Sequence, residues 1–211
     1  MSDLVAGHYP LFNEEWALDG FPSQPYRQTI SRRDILSTGV LLTSATLFVF
    51  PLVCQPGDII GAINIGVKTA TATGTHGWAA LYTSTAATAT LITQSVDDTS
   101  GFHGSGASQK LTLGTPYLVG GFPGTPQGAS QAASGPSGQA VVLGLVLYNS
   151  GATGATLDGM TGSSVAGGVL VTGQVPMASS VALSATATAP ATLSGVTAAT
   201  IGVPYAAASR S

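Results

Sequence analysis

Charged side chains are nearly missing from this sequence. They make up 7% of the 211 residues, against about 25% in ordinary globular domains. The six lysines and arginines are scattered apart from Arg32-Arg33, so no basic patch exists. Nucleic-acid binding needs phosphate-neutralising cations, and it is not expected here. Cysteine is almost absent too. Cys54 stands alone, which rules out an intrachain disulfide and a cysteine-based zinc cluster. Its place after Phe48-Val49-Phe50-Pro51-Leu52-Val53 suits a small buried thiol. Helical heptads and internal repeats are also lacking. The stretch from Ile35 to Cys54 is about the ~20 residues a membrane span needs, but Ser37, Thr38, Thr43, Ser44 and Thr46 interrupt it. Ser31-Arg32-Arg33-Asp34 resembles a twin-arginine leader, yet the position before the cysteine is Val53, not the small residue of a cleavage site. Neither export nor membrane insertion is expected.

What remains is small and apolar. Hydrophobic residues reach 44% and 28 residues are glycine, so this is not the polar composition of a disordered chain. The length suffices for one well-cored domain, or for one domain and an arm. A surface so poor in charge invites association.

The most informative stretch is 40–84. It reads as an apolar strand ending in Leu47-Phe48-Val49-Phe50, a Pro56-Gly57-Asp58 turn, and an Ile59 to Val67 strand. Gly77 to Thr83 follows as a third strand, with Trp78, Ala80 and Tyr82 on one face and Ala79 and Leu81 on the other. Alternation of period two places successive side chains on opposite faces of a sheet, and β-branched and aromatic residues favour that setting. Further strands are expected at 88–95, 109–113, 115–121, 139–149, 168–172, 180–184 and 191–203. Short strands at this spacing predict an all-β, jelly-roll-like antiparallel sandwich over 35–211. Phe48, Phe50, Ile63, Ile65, Trp78, Leu81 and Tyr82, with Val142, Leu145 and Leu147, are the expected core. In the apolar run 140–148, Gly144 marks a place where a backbone or a large side chain comes close. The Gly/Pro/Ser/Gln-rich 120–139 reads as a projecting loop.

Residues 1–34 differ. They hold eight of the fifteen charged residues, namely Asp3, Glu14, Glu15, Asp19, Arg27, Arg32, Arg33 and Asp34. Large apolar groups sit among them, and Pro10, Pro22 and Pro25 prevent a long helix. At most Asn13 caps one short helical turn over 14–17. A segment with such side chains and no core of its own must dock on its own sandwich or on a neighbouring subunit. The expectation is an anchoring arm whose contacts come from Tyr9, Leu11, Phe12, Trp16, Phe21 and Tyr26, with Arg32 and Arg33 setting register.

No constellation carries chemistry with force. Asp97-Asp98 with His103 is the best candidate for a metal or acid–base site, but calcium wants more carboxylates and zinc a further ligand. A turn whose aspartates bond their own backbone is the expected reading. His76 beside Trp78 reads as a loop histidine next to a core indole. No serine lies in a nucleophile elbow; Gly104-Ser105-Gly106 lacks the strand-to-helix setting. No catalytic residue, metal or cofactor is expected.

The stretch 40–84, with Gly77-Trp78-Ala79-Ala80-Leu81-Tyr82 at its end, resembles a group of β-sandwich proteins in the virions of tailed phages of actinobacteria, the minor tail proteins. The likeness continues through Leu91 to Asp98 and Gln109 to Leu113, and returns at Ala140 to Tyr148 and Ala191 to Gly195. The resemblance implies a structural, non-enzymatic virion protein, assembled in the host cytoplasm and carried on the particle surface. Its arm would attach it to other virion proteins, and its loops would meet neighbours or a host cell-surface glycan. A homo-oligomer is implied, with a trimer as the expected form. The same sandwich would also serve as a capsid decoration protein or head fibre. A carbohydrate-active depolymerase is the rival of another class, and it lacks the paired carboxylates glycoside cleavage uses.

Overall fold

The structure is a computed structural model that describes residues 27–120, 141–160, 178–199 and 201–210. Two antiparallel sheets pack face to face as an all-β sandwich. Eight strands build its frame: β2 (Leu36–Leu41), β3 (Thr46–Cys54), β4 (Ile59–Thr69), β5 (His76–Tyr82), β6 (Leu91–Gln94), β7 (Ala107–Leu118), β8 (Val141–Ser150) and β9 (Thr156–Met160). They pair as nested hairpins, β2 with β9, β3 with β8, β4 with β7 and β5 with β6. One sheet therefore runs β2-β9-β4-β7 and the other β3-β8-β5-β6. This is the connectivity of a jelly roll, two Greek keys folded together. Short strands extend both sheets. The first gains β1 (Arg27–Gln28), β12 (Val203–Pro204) and β13 (Ala206–Ser209); the second gains β10 (Ser179–Ala182) and β11 (Thr197–Ala198).

Alternation explains the main core. Phe48, Phe50 and Leu52 of β3, Ile63, Ile65 and Val67 of β4, Leu81 of β5 and Leu145 and Leu147 of β8 meet between the sheets, each essentially sealed from solvent. Trp78 and Tyr82 share a face, but it is the outer face of the second sheet. With Leu47, Val49, Val146 and Tyr148 they form a separate cluster, roofed by residues 183–196. Val142 departs from the expected core. It stands opposite Val53 on that same outer face, beyond the roof, and is only half-buried.

Several boundaries differ from the sequence reading. The strand expected over 40–50 is two: β2 ends at Leu41, and a turn through Ala45, whose φ is +55°, reverses the chain into β3. β3 then runs on through Pro51, which pairs with Gly144 where β10 no longer lies alongside; a residue without an N–H is tolerated at such an edge. The strands expected at 109–113 and 115–121 are one, β7. It bulges away from β4 between Thr112 and Tyr117. There Leu113 bridges to Ser95 and the Thr115 N–H reaches Thr93 Oγ1 at 3.4 Å, closing one side of the sandwich. The strand expected over 191–203 shrinks to β11 and β12, while β9 and β13 arise where small residues had hidden them. The strand expected at 168–172 lies outside the described residues, as do most of the 120–139 loop and the capped turn at 13–17.

Gly144 behaves as its place in an apolar strand predicts. A Cβ there would come within 2.2 Å of the Ser84 carbonyl oxygen. The chain after β5 thus crosses β8 at van der Waals contact with its backbone.

Candidate functional site

The nested pairing sorts the connections to two ends. At one end the links β2–β3, β4–β5, β6–β7 and β8–β9 interlock. Ser44 Oγ donates to the Gly151 carbonyl at 2.8 Å, the Ala152 N–H to the Ala72 carbonyl at 2.8 Å, and the Thr71 N–H to the Phe102 carbonyl at 2.7 Å. Beneath them Asn149 is fully buried, its Oδ1 accepting from the Ala155 N–H at 3.2 Å and from Thr71 Oγ1 at 3.4 Å.

The expected Asp97-Asp98-His103 grouping is split here. Asp97 Oδ2 lies 2.7 Å from His76 Nδ1, and its Oδ1 accepts from the Gly77 N–H at 3.2 Å. Asp98 Oδ2 lies 3.0 Å from His103 Nδ1 and accepts from Gln109 Nε2 at 3.0 Å; its Oδ1 accepts from the Ser100 N–H at 2.9 Å. Successive side chains point apart, so adjacent aspartates serve two different histidines. Every carboxylate oxygen is engaged in holding the 95–109 connection to β5 and β7. Among the described residues, no three His, Cys, Asp or Glu side chains come together as a metal-binding group.

The opposite end carries the root of the N-terminal segment. Arg27 grips Asp58 with two bonds, Nε to Oδ2 at 2.5 Å and Nη2 to Oδ1 at 2.9 Å, and Nη2 also reaches Gln55 Oε1 at 3.1 Å. Asp58 Oδ2 accepts as well from the Gln55 N–H at 2.7 Å, tying the turn between β3 and β4. Both charged side chains are largely withdrawn from water. Hydrogen bonding to Asp58 raises the Arg27 pKa, burial opposes it, and the guanidinium stays charged. Next to this clamp, burial pushes the Cys54 thiol up to about 12.

Residues 27–34 thus belong to the sandwich. β1 pairs with β13, Ile30 is buried, and Ser31 Oγ caps the short 3-10 turn Arg32–Asp34 by accepting from the Arg33 N–H at 3.2 Å. Arg32 and Arg33, expected at an interface, lie on the exposed surface of that turn. Tyr9, Leu11, Phe12, Trp16, Phe21 and Tyr26 lie outside the described residues. No family model and no curated protein matches the sequence.

A third feature escaped the sequence reading. The roof over Trp78 is gripped by side chains through its main chain. Trp78 Nε1 donates to the Thr186 carbonyl at 2.9 Å, Tyr82 Oη to the Pro190 carbonyl at 2.6 Å and Tyr148 Oη to the Ser184 carbonyl at 3.0 Å. Gln94 holds the Ala187 carbonyl at 3.2 Å and the Ala189 N–H at 2.7 Å. A Gln at the end of a short strand carries no signal of such a clasp. Among the described residues, no helix is long and apolar enough to cross a membrane.

Proposed function

We propose that this chain is a structural protein of a tailed-phage virion, a minor tail protein on the particle surface, without catalytic activity. The observation that carries the reading is the contrast between the two parts of the chain. A sandwich with few charges is followed back, through the Arg27–Asp58 clamp, to residues 1–26, which hold Tyr9, Leu11, Phe12, Trp16, Phe21 and Tyr26. Large aromatic groups on an extension are what interface hot spots are made of. The resemblance of 40–84 and the later segments to minor tail proteins supports the same reading.

In this reading the sandwich is a rigid platform and its attached end is the end with the β3–β4 turn. The interlocked end, with its two His–Asp pairs, faces away and meets host glycan or a neighbouring subunit. The platform's poorly charged surface favours homo-oligomers with closed symmetry, and a trimer is the form proposed. The test is the particle itself. Mass spectrometry of purified virions should find the chain, and a tag on Arg210 should appear on the tail. Absence from particles would end the virion reading, and a tag spread over the capsid would make the protein a decoration of the head.

A further inference from the structure

Residues 183–196 leave the second sheet and return to it at one place. β10 and β11 bracket them, with Ser179 paired to Ala198 and Ser180 to Thr197. The Ala199 N–H donates to the Ala178 carbonyl at 3.0 Å, and β10 is itself paired with β3. Both ends of the roof are therefore anchored side by side. A short segment closed in this way is an Ω-loop.

No residue of 183–196 belongs to the core between the sheets. The roof buries Ala189 and Leu193 in the cluster of Trp78, Tyr82 and Tyr148, and Leu183 and Val196 pack partly on it. Most of its other residues are exposed. The rest of its hold is hydrogen bonding. The Leu183 and Leu193 N–H groups donate to the Ala45 and Ala89 carbonyls at 3.0 and 2.9 Å, and the Leu91 N–H donates to the Ala191 carbonyl at 2.9 Å. The clasp of Trp78, Tyr82, Tyr148 and Gln94 supplies the remainder. These groups regain water when the roof lifts, so each bond adds only a modest net hold. Beneath it, β3, β8 and β5 keep their own ladders. Few buried apolar contacts on a well-exposed main chain mark a segment that opens at a lower free energy than the whole domain.

We infer that residues 183–196 form a hinged lid. It lifts as one unit about the β10–β11 ladder while both sheets stay paired, and it bares the ledge of Trp78, Tyr82 and Tyr148. Closed, the lid conceals that ledge, which grips it by the carbonyls of Thr186, Pro190 and Ser184. The inference does not rest on the virion reading and holds for the isolated protein.

Native-state amide exchange of the full chain in low urea tests it. The Leu183 and Leu193 amides, near opposite ends of the lid, should share one protection factor, at least about tenfold below that of the β8 amides, and should respond less steeply to urea. Protection and urea dependence equal to those of β8 would mean that the roof opens only with the whole domain, and would overturn the inference. Tyr82→Phe keeps the ring and removes the bond to Pro190. It should lower protection at Leu183 and Leu193 by the same factor. Gln94→Ala, at a half-buried position, removes the grip on Ala187 and Ala189 and should give the same common response even if Tyr82→Phe does not fold. A loss at one end of the lid alone would show independent fraying rather than a single lid, and no loss at either end would show that the roof is not held from below.

Discussion

The indole of Trp78 stacks on the ring of Tyr148 with centroids 4.8 Å apart and planes 21° from parallel. Each ring sends its polar hydrogen into a main-chain carbonyl of the same roofing segment. The pair couples two adjacent strands, β5 and β8, to residues that form no strand between Leu183 and Val196. Few of those residues bury side chains of their own, Ala189 and Leu193 being the main ones. The roof is thus held largely from below.

Removing the indole should therefore loosen the roof and empty a cavity at once. Trp78→Ala is expected to cost ~3–5 kcal/mol, or about 2–4 °C of melting temperature per kcal/mol for a chain of this size. Trp78→Phe keeps a ring against Tyr148 and loses the bond to Thr186, so it should cost less. A melting curve for Trp78→Ala that overlays wild type would contradict the burial of this residue.

Gly144 offers a test of the crossing rather than of the core. An added methyl would meet the Ser84 carbonyl oxygen at 2.2 Å, an obstacle of backbone that no rotamer can relieve. Gly144→Ala is expected to destabilise by roughly 1–3 kcal/mol, toward the upper end. Gly57→Ala meets nothing within 4 Å but carries a φ of +94°, so its cost should come from strain alone. Denaturant midpoints would separate the two, and an unaffected Gly144→Ala protein would mean that the 84 crossing lies farther away.

Cys54 makes the stability of the protein depend on pH in the alkaline range. Burial, the larger cause, and the nearby Asp58 charge push its thiol up to about 12, whereas an unfolded thiol titrates near ~8.5. A folded pKa above the unfolded one means that the unfolded chain loses its proton first. The contribution is intact below about pH 8.5 and is lost as pH rises toward 12, at up to about 1.4 kcal/mol per pH unit. Cys54→Ala should flatten the decline between pH 9 and 10. Above ~10 a residual slope should persist, because burial also raises the Tyr82 phenol. Identical slopes with and without the thiol, or fast labelling of the native protein at neutral pH, would show that Cys54 is not sealed.

The sandwich was legible because its signal is local. Ile63, Ile65 and Val67 alternate with Asn64, Gly66 and Lys68, and such alternation declares both the strand and its buried side. Sidedness relative to the whole molecule is not local. Trp78 and Leu81 both sit on β5, and nothing near them says which face meets the other sheet and which meets residues 183–196. The roof itself is mostly Ala, Thr and Ser, and its hold comes from partners far away in sequence, 108 residues in the Trp78–Thr186 bond and 95 in the Gln94–Ala189 bond. Still longer separations hid β13, since Ala206 to Ser209 alternates only between small residues and takes its place from β4 and β1. Asp97 and Asp98 were visible as a pair, but their division between His76 and His103 follows from loop geometry.

The boundary of the N-terminal segment decides how its role must be tested. The charge count places an arm over 1–34, and the structure moves its root to Arg27. A chain beginning at Ser37 would lose β1, the buried Ile30, the Arg27–Asp58 clamp and Leu36 of β2. The clamp alone is a largely buried, two-bond pair, and leaving Asp58 without its guanidinium should cost about 1–3 kcal/mol. Such a chain should melt well below wild type, and its failure to join a particle would say nothing about anchoring. A chain beginning at Arg27 keeps every one of these contacts. Its melting temperature should fall within a few degrees of the full chain. If the proposed virion role holds, incorporation of this chain into particles should fall to background, because Tyr9, Leu11, Phe12 and Trp16 are gone. Wild-type incorporation of the Arg27-start chain would remove the anchoring role from residues 1–26. Equal stability of the Arg27-start and Ser37-start chains would instead show that β1 and the clamp contribute nothing to the sandwich.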